Sequence, residues 1–203
     1  MNTIIALTFI GILTYAFAEE PCDKTECKHE PMANFNPTKY LQMTPLYSTH
    51  AKYSSNITVC RVFTSITISC DAVNINIHGY YNKSGNIYDY EMFCNTTETS
   101  FDKAEYLADC KIVKDAQFED GRIPEPFKLY MSVIDTDYEN YAILYLCIND
   151  EYGLEDNFEV LQKNPGTSNE AVSTALKNNE MDLEKFFPRD YTYCQSGNKD
   201  EEQ

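Results

Sequence analysis

The longest uninterrupted apolar run in the body of the chain is residues 140–147 (NYAILYLC). Acidic, turn-forming sequence bounds it on both sides, 135–140 (DTDYEN) before and 149–153 (NDEYG) after. A run of aromatic and branched residues that starts and stops this abruptly predicts a buried central strand. The same Tyr, Ile, Val, Thr and Phe enrichment recurs at 46–53, 58–69, 72–81, 87–94, 127–134, 141–148 and 158–162, with Asn, Gly, Ser, Asp or Pro in the links. In 73–78 (VNINIH) every second residue is apolar, so Val73, Ile75 and Ile77 predict a buried face and Asn74, Asn76 and His78 a wet one. Residues 101–118 scan as helix or strand through 104–109 (AEYLAD), and the neighbouring strands favour strand.

The period changes at the two ends. Residues 32–41 read as a short helix with Pro37 near its first turn. Residues 167–170 (TSNE) form a capping box, after which Ala171, Val172, Ala175 and Leu176 fall on one helical face. Leu183, Phe186 and Phe187 repeat that spacing before Pro188 stops it. Many short antiparallel strands followed by one helix predict a mainly β fold. We expect an eight-stranded antiparallel barrel with a C-terminal α-helix, wide enough for one small ligand, in preference to a β-sandwich.

Residues 1–18 carry no charge, are apolar from Ile4 to Phe17 and close with Ala16-Phe-Ala18 before Glu19, the pattern of a secretory signal peptide. The run is short for a bilayer span, so the expectation is a secreted protein with no membrane segment. The barrel domain is expected over 19–197 and a disordered acidic tail over 198–203. All eight cysteines (Cys22, Cys27, Cys60, Cys70, Cys94, Cys110, Cys147, Cys194) follow the signal peptide, and their scattered spacing fits disulfides rather than a zinc site. Sequons at Asn56, Asn82 and Asn95 mark expected glycosylation sites on exposed turns.

The net charge of −16 excludes nucleic acid as a partner and would steer a basic protein toward the surface. No H-E-x-x-H, G-x-S-x-G or glycine-rich phosphate loop is present, so no catalytic residue, cofactor or metal is expected and the chain does not read as an enzyme. The loop at Asp135 begins like a calcium loop, but Asn140 stands at the required glycine and Leu146 at the required glutamate. Asp135, Asp137, Tyr138 and Glu139 before the central strand, and Asp150, Glu151 and Tyr152 after it, combine carboxylates with aromatic anchors. They are candidate protein-binding residues at opposite ends of that strand. Arg61 and Arg122 are the candidate basic groups for a ligand carboxylate.

Segments 34–40 (NFNPTKY), 47–52 (YSTHAK), 59–61 (VCR) and 140–147 stand in this order along the chain. With them, the sequence resembles the salivary lipocalins of blood-feeding triatomine bugs, the group of triabin, pallidipin, the triplatins and the triafestins. The resemblance spans essentially the whole chain. It departs from ordinary lipocalins in lacking a G-x-W at the first strand, where Leu46 and Tyr47 stand. It implies disulfides Cys27–Cys147 and Cys60–Cys194, with Cys94–Cys110 stapling a hairpin and Cys22–Cys70 the pair that remains. Haem, bound by a strand histidine in the more distant nitrophorins, is not expected at His78, whose parity faces solvent unless the polar face lines the cavity. The resemblance further implies a non-catalytic monomer that impairs host haemostasis. One route is capture of a basic host coagulation or contact-phase protein, as triabin does with thrombin. The other is scavenging of a small platelet agonist, a thromboxane-type eicosanoid or biogenic amine, in the barrel. The visible acidity places the first route ahead.

Overall fold

Eight strands follow one another around a closed barrel in chain order: β1 (Leu46–Ala51), β2 (Thr58–Ser69), β3 (Ala72–Lys83), β4 (Asn86–Thr97), β5 (Glu105–Asp115), β6 (Phe127–Thr136), β7 (Tyr141–Asp150) and β8 (Gly153–Gln162). Each pairs antiparallel with the next, and β1 closes the ring by pairing with both β8 and β2. This computed structural model describes residues 26–53, 58–117, 124–150, 153–166 and 169–196. The expected signal peptide, Cys22, Asn56, Arg122, Glu151, Tyr152, the side chain of Asp150 and the acidic tail lie outside the described residues.

The tight β2–β3 hairpin turns on Cys70 and Asp71, both at positive φ, and the β3–β4 hairpin on Ser84 and Gly85, likewise positive. Two residues of that kind match the right-handed twist of the flanking strands. The alternation in 73–78 is realised in β3, with Val73, Ile75 and Ile77 buried inside the barrel. Strand β7 is buried on both faces, which explains its continuous apolar run. Ala142, Leu144 and Leu146 face the barrel interior, while Tyr141, Ile143, Tyr145 and Cys147 lie in an outer cluster beneath α3 (Glu170–Asn178).

One end of the barrel is filled and closed. α1 (Pro37–Leu41) starts where Asn36 Oδ1 accepts the Lys39 N–H and Pro37 supplies a helical φ. Its Tyr40 packs 5.3 Å from Phe35 and 6.1 Å from Phe101, the residue that ends the helical turn α2 (Glu98–Phe101). Tyr106 stacks below Phe101, so four aromatic rings form the floor.

Four local readings are corrected. Only Pro37–Leu41 of the 32–41 segment is helical, and Asn34 takes a left-handed φ just before it. Strand β8 begins at Gly153, earlier than the apolar run at Phe158, because its first half is an acidic hairpin arm paired to the end of β7. The C-terminal helix starts at Glu170 with no side-chain cap on Asn169, and it exposes Ala171 while burying Val172, Ala175 and Leu176. Leu183–Lys185 is a single 3-10 turn, after which Pro188 forces an extended chain; Phe186 is buried and Phe187 points outward in the short strand β9 (Phe187–Pro188).

Disulfides join Cys27 to Cys147, Cys60 to Cys194 and Cys94 to Cys110. Cys94 and Cys110 are directly opposed on β4 and β5 and face the interior, so this staple is part of the barrel core. Cys70 has no disulfide partner among the described residues. The first two bridges close loops of 120 and 134 residues and tie both chain ends to the barrel wall. Replacing Cys27 and Cys147 together with Ser is expected to cost about 3–5 kcal/mol, or roughly 10 °C in the thermal midpoint. Circular dichroism melting checks this, and an unchanged midpoint would show that the N-terminal segment is held without the bridge.

Candidate functional site: a cationic pole inside the barrel

The interior changes character above the Cys94–Cys110 staple. Arg61 of β2, Gly79 of β3 and Tyr90 of β4 stand side by side in one row of the sheet. Gly79 carries no side chain, and the Tyr90 ring lies over the space it leaves. A Cβ built there would sit 2.6 Å from Tyr90 Cε1. The ring thereby reaches across β3, and its hydroxyl accepts the Arg61 Nε–H at 3.0 Å.

Arg61 Nη1 then donates to Glu159 Oε1 at 3.0 Å, across β1, where Ala51 faces Glu159 in the register. A second guanidinium arrives from the C-terminal segment. Arg189 follows β9, donates through Nη1 to the Thr58 carbonyl at 3.0 Å, and brings Nη2 to 3.5 Å from the same Glu159 Oε1. The Glu159 side chain is 2% exposed and that of Arg189 6%, while Arg61 keeps 22%. Two guanidinium groups on one carboxylate leave this buried cluster at a net charge of +1. Burial works against the Arg61 charge, but Glu159 and Tyr90 outweigh it and hold its pKa above the ordinary guanidinium value. At Arg189 burial dominates, Glu159 offsets part of it and Arg61 adds to it, so the net shift is downward.

This pole forms one wall of a cavity of about 380 Å³. Met92, Ile112, Phe127, Leu129, Leu146 and Ile148 supply apolar lining, and Glu155, Asp156 and Asn157 of β8 add polar groups to it. An apolar chamber of this size with a few converging polar groups is the ordinary form of a small-molecule site. Of the two arginines expected from the sequence, Arg61 lies in the wall and Arg122 is outside the described residues. Glu159, Arg189, Tyr90 and Gly79 were not anticipated. Glu159 has the parity of the interior Leu161, a signal available in 158–162 (FEVLQ). Arg189 sits in no periodic element and carries no such signal.

The acidic loop before β7 is largely occupied with holding itself together. Asp137 Oδ1 accepts N–H groups from Glu139, Asn140 and Tyr141, and its Oδ2 accepts the Asn140 side-chain amide. Tyr138, at positive φ, turns back under the barrel, where its hydroxyl accepts the Asn36 N–H at 2.8 Å. Asp135 accepts the Tyr141 hydroxyl at 2.9 Å, and Glu139 is exposed. Asp135 and Asp137 nevertheless line a wide outer groove of about 770 Å³ shared with Glu170 of α3. The loop after β7, with Asp150, emerges at the opposite end.

His78 lies on the outer face with its ring 5.0 Å from Tyr80, and His50 packs beside Thr49 with its pKa lowered by burial. Among the described residues no group of three or more His, Cys, Asp or Glu could hold a metal ion. The Asn95 side chain is exposed on β4, whereas Asn82 accepts the Gly85 N–H in its turn. No helix among the described residues is long and apolar enough to cross a membrane.

Gly79→Ala is expected to push the Tyr90 ring off Arg61 and cost about 1–3 kcal/mol. Tyr90→Phe alone should cost about 1–2 kcal/mol and much less in the Gly79→Ala background. Additive losses in a denaturant double-mutant cycle would refute the link. For Asp137, burial raises the pKa, but the donors from Asn140, Glu139 and Tyr141 outweigh it and the net shift is downward. Its stabilisation is therefore full above the unfolded carboxylate value near pH ~4 and is lost as pH falls through the folded one. Asp137→Ala should lower stability by about 1–2 kcal/mol at neutral pH, and the gap to wild type should close in acid. A gap independent of pH would contradict this.

A family model described as Triabin matches residues 17–175. Triafestin-2 of Triatoma infestans is 35% identical over 177 residues, covering 81% of this chain and 80% of its own. Pallidipin of Meccus pallidipennis is 30% identical over 194 residues, covering 96% and 98%. Among solved structures, the tryptamine complex of the amine binding protein of Rhodnius prolixus superposes with a TM-score of 0.63 at 19% identity, over 80% of this chain and 84% of that one. The barrel and these relatives together establish that the chain belongs to the triabin family of lipocalin-like proteins.

Proposed function

We propose that this protein is a secreted salivary binding protein that impairs host haemostasis by sequestering a small amphiphilic anion inside its barrel, the ligand class of the thromboxane-type eicosanoids. The observation that carries the reading is the buried Arg61–Glu159–Arg189 cluster, two guanidiniums on one carboxylate, set in the wall of a cavity whose lining is apolar on one side and also includes Glu155 and Asp156. An isolated buried charge is costly, and a ligand carboxylate lowers that cost while its hydrocarbon fills the chamber. At Glu159 a biogenic amine would meet a carboxylate already shared by two guanidiniums; Glu155 and Asp156, also in the cavity lining, make the amine the competing ligand class that the titration decides. The family supports the haemostatic setting: one relative, 28% identical over 198 residues, is named as a platelet inhibitor.

Isothermal titration with dodecanoate and dodecylamine, equal in chain length and opposite in charge, tests the reading. Dodecanoate should bind and dodecylamine should not. Arg61→Met should weaken dodecanoate by at least about 30-fold, the effect of removing one partner of a buried ion pair. Binding of the amine in preference to the acid would sink the proposal.

A second reading has its own observation. The outer groove between the acidic loop and α3 carries Asp135, Asp137 and Glu170 with no Lys or Arg among its lining residues. It fits a basic host coagulation or contact-phase protein, steered by the net charge of −16. Glu170→Lys, at the exposed start of α3, should slow association with such a partner, and plasma-factor binding insensitive to salt would count against this reading.

A further inference from the structure

The cavity lining carries charge of both signs, at separate places. Arg61 donates its Nε–H to Tyr90 and one Nη1–H to Glu159, while its Nη2 has no hydrogen-bond partner among the described residues and is not one of their sealed, unpartnered polar atoms. With 22% of its side chain exposed, Arg61 keeps a free donor arm that a ligand can reach. The acidic and amide groups of the lining differ in what already holds them. Glu159 receives both guanidiniums, and Asp156 Oδ2 accepts the hydroxyl of Tyr145, a member of the outer cluster. Asn157 gives one hydrogen bond to the Tyr53 backbone and accepts another from it. Glu155 remains. It shares the inward parity of Glu159, faces Ile148 in the register, is exposed, and makes no hydrogen bond or ion pair among the described residues. The strand between Glu155 and Glu159 sets them roughly 13 Å apart, and the apolar side chains of Leu146 and Ile148 line that interval.

We propose that the cavity takes an amphiphile charged at both ends, its carboxylate on Arg61 and a cationic group on Glu155, with the hydrocarbon between them. The proposal rests on the cavity reading above and adds to it a specificity-determining residue, Glu155, for the second charge. An exposed carboxylate attracts too weakly to hold an amine by itself. It contributes once a contact elsewhere has tethered the cation beside it. The separation of the two charges decides the sign of the effect. A cation next to the carboxylate would stand against Arg61 and Arg189 and be repelled, whereas one at the far end of the chain meets a carboxylate that has no other partner.

Calorimetry on the intact protein tests this by comparing dodecanoate with 12-aminododecanoate and 2-aminododecanoate, in the wild type, Glu155→Gln and Glu155→Lys. In the wild type at low salt the 12-amino acid should bind about threefold tighter than dodecanoate, the scale of one exposed ion pair. The 2-amino acid should bind at least about tenfold weaker than dodecanoate, because like charges then face each other. Affinities for two ligands are compared on the same protein, so a general loss of fold or binding cancels from the ratio. Glu155→Gln should bring the preference for the 12-amino acid to about one, and Glu155→Lys should invert it. If dodecanoate binds but the 12-amino acid is not preferred, if the preference survives both substitutions, or if the 2-amino acid binds as tightly as the 12-amino acid, the Glu155 subsite is wrong while the cavity reading stands. If dodecanoate itself does not bind, the cavity reading falls and takes this inference with it.

Discussion

The closure of the barrel depends on how the second edge of β1 is satisfied. One edge is paired with β8 along most of its length, but β2 pairs with the other only at Leu46 and Tyr47. Beyond that point β1 and β2 part, and a strand edge buried in a protein must find partners for its N–H and C=O groups. The C-terminal segment supplies them. β9 takes His50 and Ala51, the Arg189 N–H donates to the Thr49 carbonyl at 2.8 Å, and Arg189 Nη1 serves the Thr58 carbonyl on the β2 side. The helix α4 (Tyr191–Ser196) then lies against β2, and Cys194 bonds to Cys60 there. The tail is therefore a wedge that completes the barrel at its cavity end, and the disulfide keeps the wedge in place.

That wedge explains why a charged cluster sits inside a hydrophobic barrel. Arg189 enters where the ladder opens, and its charge has to be met by something on the interior side. Glu159 is placed for this because it shares the inward parity of Leu161 on β8. Burying three ionised groups in place of apolar ones is not a route to stability as such, since desolvation consumes much of the Coulombic gain. What the cluster supplies is preorganisation: the Tyr90 ring, seated on Gly79, orients Arg61, and Arg61 and Arg189 hold Glu159 from two sides. Under the proposed reading, a ligand meeting this wall would find Arg61 already directed, so little ordering cost would remain to be met on binding.

Much of the fold was legible because it follows from period alone. The alternation of Val73, Ile75 and Ile77 locates the interior of β3, and the unbroken run in β7 signals burial on both faces, against the barrel core and against α3. The hidden parts depend on tertiary partners. Phe187 shares helical spacing with Leu183, yet Pro188 and pairing with Ala51 extend the chain there. Arg61 was visible as a lone cation in a strand, but nothing local revealed that it would meet Glu159, 98 residues away, and Arg189 after it. Tyr138 and Asp137 looked like exposed interface residues because their composition is that of an interface. In the fold, Asp137 closes its own turn and Tyr138 braces the floor of the barrel, a use that residue type alone does not disclose.

The net charge of the chain and the two guanidiniums buried in the cavity wall have opposite signs, and the opposition would separate the two proposed binding modes physically. A net charge of −16 repels an approaching anion, but mobile ions screen that repulsion beyond about 8 Å at physiological ionic strength. It would therefore slow the association of a small acid more than it opposes one seated against Arg61, where low dielectric strengthens the guanidinium's pull. For a basic protein the same surface charge accelerates encounter and does most at the acidic groove by α3, near the closed floor. That groove and the cavity lie toward opposite ends of β7, one against the Asp137 turn and one against Cys147 and Ile148. If both proposed readings hold, a small acid and a basic partner would not compete for one surface, and salt would weaken chiefly the second.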